Sequence, residues 1–204
     1  MTKIPVLVLV VVFACTAPAQ VWSNPDQKVE VSGLHFRTAR SPEGTAPLAA
    51  ALETIFQNSD VCCGKYSAMV DIVEASNPLS LQEVGAKLQG RHILGDGRPI
   101  LISANYLAAK PTDGRIAAGT TLLPALRNHQ PLLMEWNSHL YVVYGAVYTE
   151  FVSDDTNGPS YIDTIDKLLL FDPISGKEAT FDRLADDWQK VQGLLTLTVG
   201  PSSS

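Results

Sequence analysis

Between residues 48 and 128 of this chain the apolar residues recur mainly at helical spacing, and after residue 128 they form strand-like runs. Helical spacing covers residues 48–56, 65–75, 80–88 and 120–128. Strand-like runs cover residues 131–136, 139–148, 167–171 and 194–199. Because the helices come first and the strands follow, the pattern predicts an α+β domain, with N-terminal helices packed on a C-terminal antiparallel sheet.

Shorter signals complete the expected element order. Residues 80–83, Ser-Leu-Gln-Glu, match a capping box, so a helix is expected to begin there. Residues 28–32 alternate between polar and apolar side chains and predict a short edge strand. The Gly- and Pro-rich stretch 90–119 contains one strand-like run, residues 99–103, and a short helix is expected near Tyr106.

The N-terminus has the pattern of a bacterial secretory signal peptide. Lys3 precedes an apolar run at residues 4–14, and Ala17-Pro18-Ala19 follows as a small-residue cleavage site. The run is shorter than the ~20 residues that a membrane-spanning helix needs, and no later segment is longer or more apolar. Cleavage after Ala19 and export to the periplasm or the medium are expected. A lipid anchor on Cys15 is the less favoured alternative, because Phe13 fits a lipoprotein box poorly.

Length and charge limit the classes of protein to which the chain can belong. The formal net charge is −6, and removal of Lys3 with the signal peptide makes it −7, which gives no electrostatic surface for nucleic acid or anionic lipid. We expect a signal peptide at residues 1–19, a strand and loop at residues 20–47, and one folded domain at residues 48–200. Only Cys62 and Cys63 remain after cleavage, so disulfides do not hold this domain together.

Cys63 is the candidate nucleophile. It lies where the helix over residues 65–75 is expected to begin, and a helix N-terminus stabilises a thiolate. A thiolate nucleophile also needs an imidazole within reach, and the imidazole needs a polar partner that orients it. His139 begins one predicted strand and Asp172 ends the next, so antiparallel pairing of these strands would bring both residues to one end of the sheet.

Two segments resemble the papain-like cysteine peptidases, especially the short bacterial ones and the C39-like group. Residues 57–69, Gln-Asn-Ser-Asp-Val-Cys-Cys-Gly-Lys-Tyr-Ser-Ala-Met, are similar to the nucleophile region, with the papain interval of six residues from Gln57 to Cys63. Residues 127–145 resemble the second half of that domain, where a His leads a strand that ends in Gly. Residues 171–176, Phe-Asp-Pro-Ile-Ser-Gly, are similar to the Asp-Pro motif that follows the histidine strand.

This resemblance implies a papain-like fold and a role for each matching residue. Cys63 would attack a peptide or amide carbonyl and form a thioester, and His139 would act as general base and then as general acid. Asp172 would orient the imidazole, and the side-chain amide of Gln57 would bind the oxyanion together with the backbone amide of Cys63. Trp136, Gly64 and Cys62 would line the substrate site, although core packing is the favoured alternative for Trp136. No metal or organic cofactor is implied, and the implied partner is a peptide or protein substrate.

Three features depart from the family pattern. Gly64 stands where relatives carry Trp or another bulky residue. Cys62 is either a small buried apolar residue or the partner of Cys63 in a vicinal disulfide, and it is itself an alternative nucleophile. Residues 149–166 form an acidic insertion, expected to be a lid, a specificity element or a solvated hairpin tip.

Two other functions stay open beside the peptidase. One is a catalytically degenerate domain that binds peptides or proteins, which Gly64 and the paired cysteines favour. The other is an amidase or a peptidoglycan-peptide hydrolase that uses the same pair of Cys63 and His139.

Overall fold

A computed structural model describes residues 20–39, 46–59, 80–108, 121–155, 158–186 and 188–202 of the chain. Within these ranges eight strands form one sheet, and three α-helices and one 3-10 helix accompany it. The strands are β1 (Gln20–Glu30), β2 (Gly90–Ile93), β3 (Pro99–Ala108), β4 (Leu132–Trp136), β5 (His139–Asp155), β6 (Gly158–Asp172), β7 (Lys177–Asp182) and β8 (Val191–Pro201). The α-helices are α1 (Ala46–Gln57), α2 (Leu81–Leu88) and α3 (Leu123–Arg127), and the 3-10 helix is Trp188–Lys190.

β5 organises the sheet, because it is long enough to pair with three other strands. The strand order is β2-β3-β8-β4-β5-β6-β7, and all of these pairs are antiparallel. β4 pairs with residues 139–143 of β5, and β1 pairs with residues 145–154 along the same edge. β6 pairs with the other edge of β5 over most of its length. Beyond residue 143, β5 therefore no longer pairs with β4 and forms a three-stranded extension with β1 and β6.

The sheet is covered on both faces. Face I, covered by α1 and α2, carries the first apolar cluster, which includes Leu133, Val142, Phe171 and Leu195 of the sheet. Face II, covered by α3, carries the second cluster, which includes Leu132, Val143, Leu170 and Leu194. Val142 and Val143 are consecutive and both fully buried, because adjacent residues of a strand point to opposite faces.

Local sequence explains where α2 and α3 begin. Ser80 and Glu83 form the expected capping box at the N-terminus of α2, with both reciprocal hydrogen bonds present. α3 has Pro124 in its first turn, where the missing N–H of proline is tolerated. α1 covers the predicted helix at residues 48–56 and extends it by a few residues at its ends.

The predicted papain-like α+β fold is wrong. Antiparallel sheet dominates the structure, and N-terminal helices packed on a C-terminal sheet do not describe it. β1 precedes α1, and β1, β2 and β3 lie in the same sheet as the C-terminal strands. The strands expected at residues 28–32 and 99–103 overlap β1 and β3, but the sequence did not predict their full lengths or their pairing with the distant strands β5 and β8 in the same sheet.

Several strands are also longer than the sequence patterns predicted. Tyr106, expected in a short helix, lies in β3. The stretch 149–166 is a hairpin, but strand structure continues through most of it, to Asp155 in β5 and again from Gly158 in β6. Cross-strand pairing with β1 stabilises the added length of β5. Such pairing with a distant strand leaves no signal in the turn residues of this stretch.

Candidate functional site

His139 lies at the start of β5, directly after a two-residue turn. Asn137 and Ser138 have φ values of 53° and 60°, as required at both central positions of the tight turn that suits a hairpin. The His139 side chain is exposed, and its ring centroid lies 6.0 Å from that of Tyr141. Cys62, Cys63 and Gly64 lie outside the described residues, so the pairing of Cys63 with His139 stays a prediction.

Asp172 ends β6 beside the start of β5, as the order of the two strands suggested. Val142 pairs with Phe171, so the same register places Asp172 next to Tyr141, on the face that His139 also occupies. The two oxygens of the Asp172 carboxylate accept hydrogen bonds from the backbone N–H of Ile174 at 2.8 Å and the hydroxyl of Ser175 at 2.7 Å. Asp172 thus stabilises the turn between β6 and β7.

The environment of Tyr141 shows that the Asp172 charge reaches this face. Burial raises the pKa of Tyr141, and the negative charge of Asp172 raises it further. Both effects disfavour the phenolate, so Tyr141 stays protonated and is available as a hydrogen-bond donor beside His139.

Gln57 lies on the other side of the sheet from His139. α1, which ends at Gln57, packs on face I with Val142, whereas the parity of β5 puts His139 on face II with Val143. The side-chain oxygen of Gln57 accepts a hydrogen bond from Nε of Arg37 at 2.9 Å. The structure brings His139 and Asp172 to one end and one face of the sheet, and it does not bring Gln57 to them.

Gln57 and His139 also lie toward opposite ends of β4. Asn58, which follows Gln57, lines a small pocket with Gln130 and Pro131, just before β4 begins. His139 pairs with Trp136, the last residue of β4. With a rise of about 3.3 Å per residue, β4 separates these two places by roughly 13 Å.

Trp136 belongs to an aromatic cluster on face II. Its ring lies 5.6 Å from Tyr141 and 5.2 Å from Phe181, and Phe181 lies 4.8 Å from Trp188. The indole N–H groups of Trp136 and Trp188 are both buried without an acceptor. These contacts give Trp136 a packing role, and its predicted role in substrate binding has no geometric support from them.

The small pocket beside α1 is too confined for a peptide. It encloses about 20 Å³, which is roughly the space that one water molecule requires. Its polar lining comes from Asn58, Ser59, Asn128, His129 and Gln130. A water molecule is therefore the ligand that fits it.

Among the residues that the structure describes, the largest group of exposed apolar side chains lies on the three-stranded extension, which we call the arm (residues 20–24, 150–155 and 158–163). Four large apolar side chains of the arm are about half or more exposed: Val21 at 64%, Trp22 at 48%, Tyr161 at 62% and Ile162 at 50%. Solvent-exposed apolar groups in a contiguous patch are typical of interaction surfaces. The sequence did not predict this surface, because residues 149–166 were expected to form an insertion and no strand was predicted at residues 20–24.

The arm has two different faces. Trp22, Val152 and Tyr161 form one row across its three strands, and the parity of β5 places this row on face II. Val21 and Ile162 belong to neighbouring rows that point to face I. Apolar exposure therefore occurs on both faces, but aromatic side chains occur only on the face II side among these four.

Charged residues surround the aromatic row on face II. Glu150 and Asp154 lie on β5 two residues before and after Val152, so all three share a face. Asp163 pairs with Glu150 across β6 and accepts a hydrogen bond from Arg127 at 3.2 Å through Oδ2. Oδ1 of Asp163 is buried and has no hydrogen-bond partner.

Arg127 closes the inner end of this surface. Its guanidinium lies 5.2 Å from the centroid of the Tyr148 ring and donates a hydrogen bond to the Tyr148 hydroxyl at 3.1 Å. The arm thus begins where α3 ends, and the aromatic row lies beyond the part of face II that α3 covers.

The described parts of the chain contain no group of three or more His, Cys, Asp or Glu residues that could hold a metal ion. Across those ranges no helix combines the length and the apolar character that crossing a bilayer requires.

Comparison with known proteins adds no assignment to this geometry. No family model, no curated protein and no solved structure matches the chain.

Proposed function

We propose that this protein is an exported binding module that docks a peptide segment of a partner protein on the arm. The observation that carries the proposal is the exposure of two large aromatic side chains, Trp22 and Tyr161, on strands that extend beyond the covered core. Removing such side chains from water on docking provides about 25 cal/mol per Å² of apolar surface, part of which offsets the cost of association. Aromatic residues also dominate the energetics of many interfaces.

The arm suits docking for a second reason. β5 and β6 are held there by cross-strand hydrogen bonds, so the exposed side chains sit on a regular backbone with fixed spacing. A surface that is already ordered loses little conformational entropy when a partner binds. The proposal therefore requires no folding of the arm on binding.

Selection from a random peptide display library tests this function. The purified protein is expected to enrich peptides that no longer bind when Trp22 and Tyr161 are both replaced by Ser. A matched control is the variant Ile93→Ser with Leu101→Ser, which removes exposed apolar side chains from β2 and β3 and is expected to keep the selected peptides. Selected peptides that bind the arm variant as tightly as the unmodified protein would contradict the proposal.

A thiol-dependent amide or peptide hydrolase is the second candidate. It is favoured by one observation, that His139 and Asp172 lie at the same end of neighbouring strands and on the same face. In this mechanism the Cys63 thiolate attacks the carbonyl carbon, His139 protonates the leaving amine, and water then hydrolyses the thioester.

Alkylation by iodoacetamide distinguishes the two candidates. With reductant present, a catalytic Cys63 is expected to react rapidly near neutral pH, and His139→Ala is expected to slow that reaction while the exposed His35→Ala leaves it unchanged. Parallel Cys62→Ser and Cys63→Ser variants assign the reacting sulfur. Slow labelling at a rate that His139→Ala does not change would rule out the hydrolase and leave the binding module.

A further inference from the structure

We infer that the segment docked on the arm is cationic, and that it lies on the face II side over Trp22, Val152 and Tyr161. This inference rests on the proposed function, because it names the chemistry of the partner for the same surface. Three features of that face carry it: two exposed aromatic rings on either side of β5, the carboxylates of Glu150 and Asp154 beside them, and the lack of Lys and Arg in residues 128–166.

The pair of aromatic rings is suited to a side chain of an extended peptide. Val152 is only 6% exposed, whereas Trp22 and Tyr161 beside it are 48% and 62% exposed. Strands lie about 4.8 Å apart, so the backbones that carry the two rings are roughly 10 Å apart. The two rings therefore flank β5 on this face, and Val152 between them is already largely covered by its neighbours.

The carboxylates give this face a negative potential. Glu150 and Asp154 lie along β5 on either side of Val152, at about 7 Å from it for a two-residue step. Asp163 is paired with Arg127, and its other oxygen, Oδ1, is buried. A Lys or Arg side chain on the docked segment would supply donors to the carboxylates of Glu150 and Asp154 and a cation to the face of an aromatic ring.

Glu150 and Asp154 have no basic neighbour in the local sequence. Residues 128–166 contain no Lys or Arg, and the chain as a whole carries a net charge of −6. Arg127 pairs with Asp163, so the charges left for a partner are those of Glu150 and Asp154. A basic partner is therefore attracted to this face over a distance of roughly one Debye length.

The same charges disfavour a second copy of this chain as the occupant. A symmetric dimer through this face would bring Glu150 and Asp154 of one copy toward the same residues of the other. Like charges that face each other across an interface are destabilising. The face I side of the arm differs in charge, because the rows of Val21 and Ile162 there contain Ser153, Ser160, Ser23 and Phe151 and none of these is charged.

Fluorescence anisotropy with designed peptides tests the inference. The probe is a short labelled peptide that alternates Lys and Val, and the comparison peptide alternates Glu and Val. The purified protein is expected to bind the Lys peptide at least about tenfold more tightly at low ionic strength, and added salt is expected to reduce the difference.

Three double variants locate the contact. Trp22→Ser with Tyr161→Ser is expected to weaken binding of the Lys peptide roughly tenfold or more, since buried aromatic contacts dominate interfaces. Glu150→Gln with Asp154→Asn is expected to abolish most of the preference for Lys over Glu. Val21→Ser with Ile162→Ser is the matched control, because it alters the opposite face of the same strands, and it is expected to change affinity by less than about threefold. Circular dichroism spectra confirm that each variant is folded.

The outcomes separate this inference from the proposed function. If library peptides bind through the arm but are not basic, or if Glu150→Gln with Asp154→Asn leaves the preference unchanged, the cationic assignment is overturned and the binding module stands. If the control variant weakens binding as much as Trp22→Ser with Tyr161→Ser, the assignment to face II is overturned. If the protein binds free spermine, a polycation without a peptide backbone, as tightly as the Lys peptide, the assignment of a peptide as the ligand is overturned.

Discussion

Ser80 and Glu83 show how two residues determine where a helix begins. The backbone N–H of Ser80 donates to Oε2 of Glu83 at 2.9 Å, and the backbone N–H of Glu83 donates to the hydroxyl of Ser80 at 3.3 Å. These bonds satisfy amide groups that the first turn of α2 cannot pair internally. The backbone hydrogen bond from Ser80 is also the main cause of the lowered pKa of Glu83.

Replacement of Ser80 by Ala is expected to lower the free energy of unfolding by about 1 kcal/mol, because the hydroxyl acceptor of the cap is lost. Urea unfolding at neutral pH measures the change. Gln82→Ala, at an exposed position of the same turn, is the control and is expected to have little effect. Equal stability of Ser80→Ala and the unmodified protein would show that this cap does not contribute.

The lowered pKa of Glu83 predicts a pH dependence with a definite sign. A carboxyl group whose pKa is lower in the folded state stabilises the fold above its unfolded pKa, near 4.5, and loses that contribution as the pH falls through the folded pKa. Glu83→Gln is therefore expected to be less stable than the unmodified protein at pH 7 and equally stable in strong acid. Urea midpoints measured across this pH range test the sign, and a gap that widens in acid would contradict it.

At the scale of elements, Gly145 allows β1, β5 and β6 to meet. β5 has an irregular register at residues 143–145, and Gly145 pairs there with both Glu30 of β1 and Leu169 of β6. A Cβ on Gly145 would lie 2.8 Å from Cδ1 of Leu169 and 3.0 Å from the carbonyl oxygen of Val29. Because the second atom belongs to the backbone, β1 itself would have to move.

Gly145→Ala is expected to lower the free energy of unfolding by roughly 1–3 kcal/mol, the usual cost of overpacking. It is also expected to increase hydrogen exchange in β1, since the pairing of β1 with β5 is the contact that the methyl group disturbs. Gly200→Ala is the matched control, because a Cβ there meets open space. Loss of stability without faster exchange in β1 would place the strain elsewhere.

At the scale of the whole molecule, one sheet supports two apolar clusters. The clusters take alternate residues from the same strands, for example Leu133 and Leu132 of β4 or Phe171 and Leu170 of β6. Strand pairing that serves one face therefore serves the other as well. Loss of either cluster is expected to weaken the entire sheet.

Leu52→Ala in α1 and Leu126→Ala in α3 test this coupling, because each removes a fully buried side chain from one cluster. Each variant is expected to lose about 2–5 kcal/mol of stability while keeping a single unfolding transition. Circular dichroism and tryptophan fluorescence measured in urea should give coincident curves. Two separated transitions in either variant would show that the clusters unfold independently.

Sequence patterns predicted the elements whose stability is local. The capping box at Ser80, the helix over residues 46–57 and the strands that begin at Leu132 and His139 depend on hydrogen bonds and side-chain spacing within a few residues. The order of His139 and Asp172 along two successive strands was also enough to predict that they lie at one end of the sheet.

Only the tertiary structure decided the sheet-dominated fold, the arm and the separation of Gln57 from His139. β1 pairs with β5 across more than one hundred residues of sequence, so residues 20–24 carry no local signal of that pairing. The face on which a strand residue lies depends on the parity of its register, and a shift of one residue reverses it. The face of the sheet that α1 covers therefore depends on the assembled sheet. The start of a helix, in contrast, is determined by four consecutive residues, as at residues 80–83.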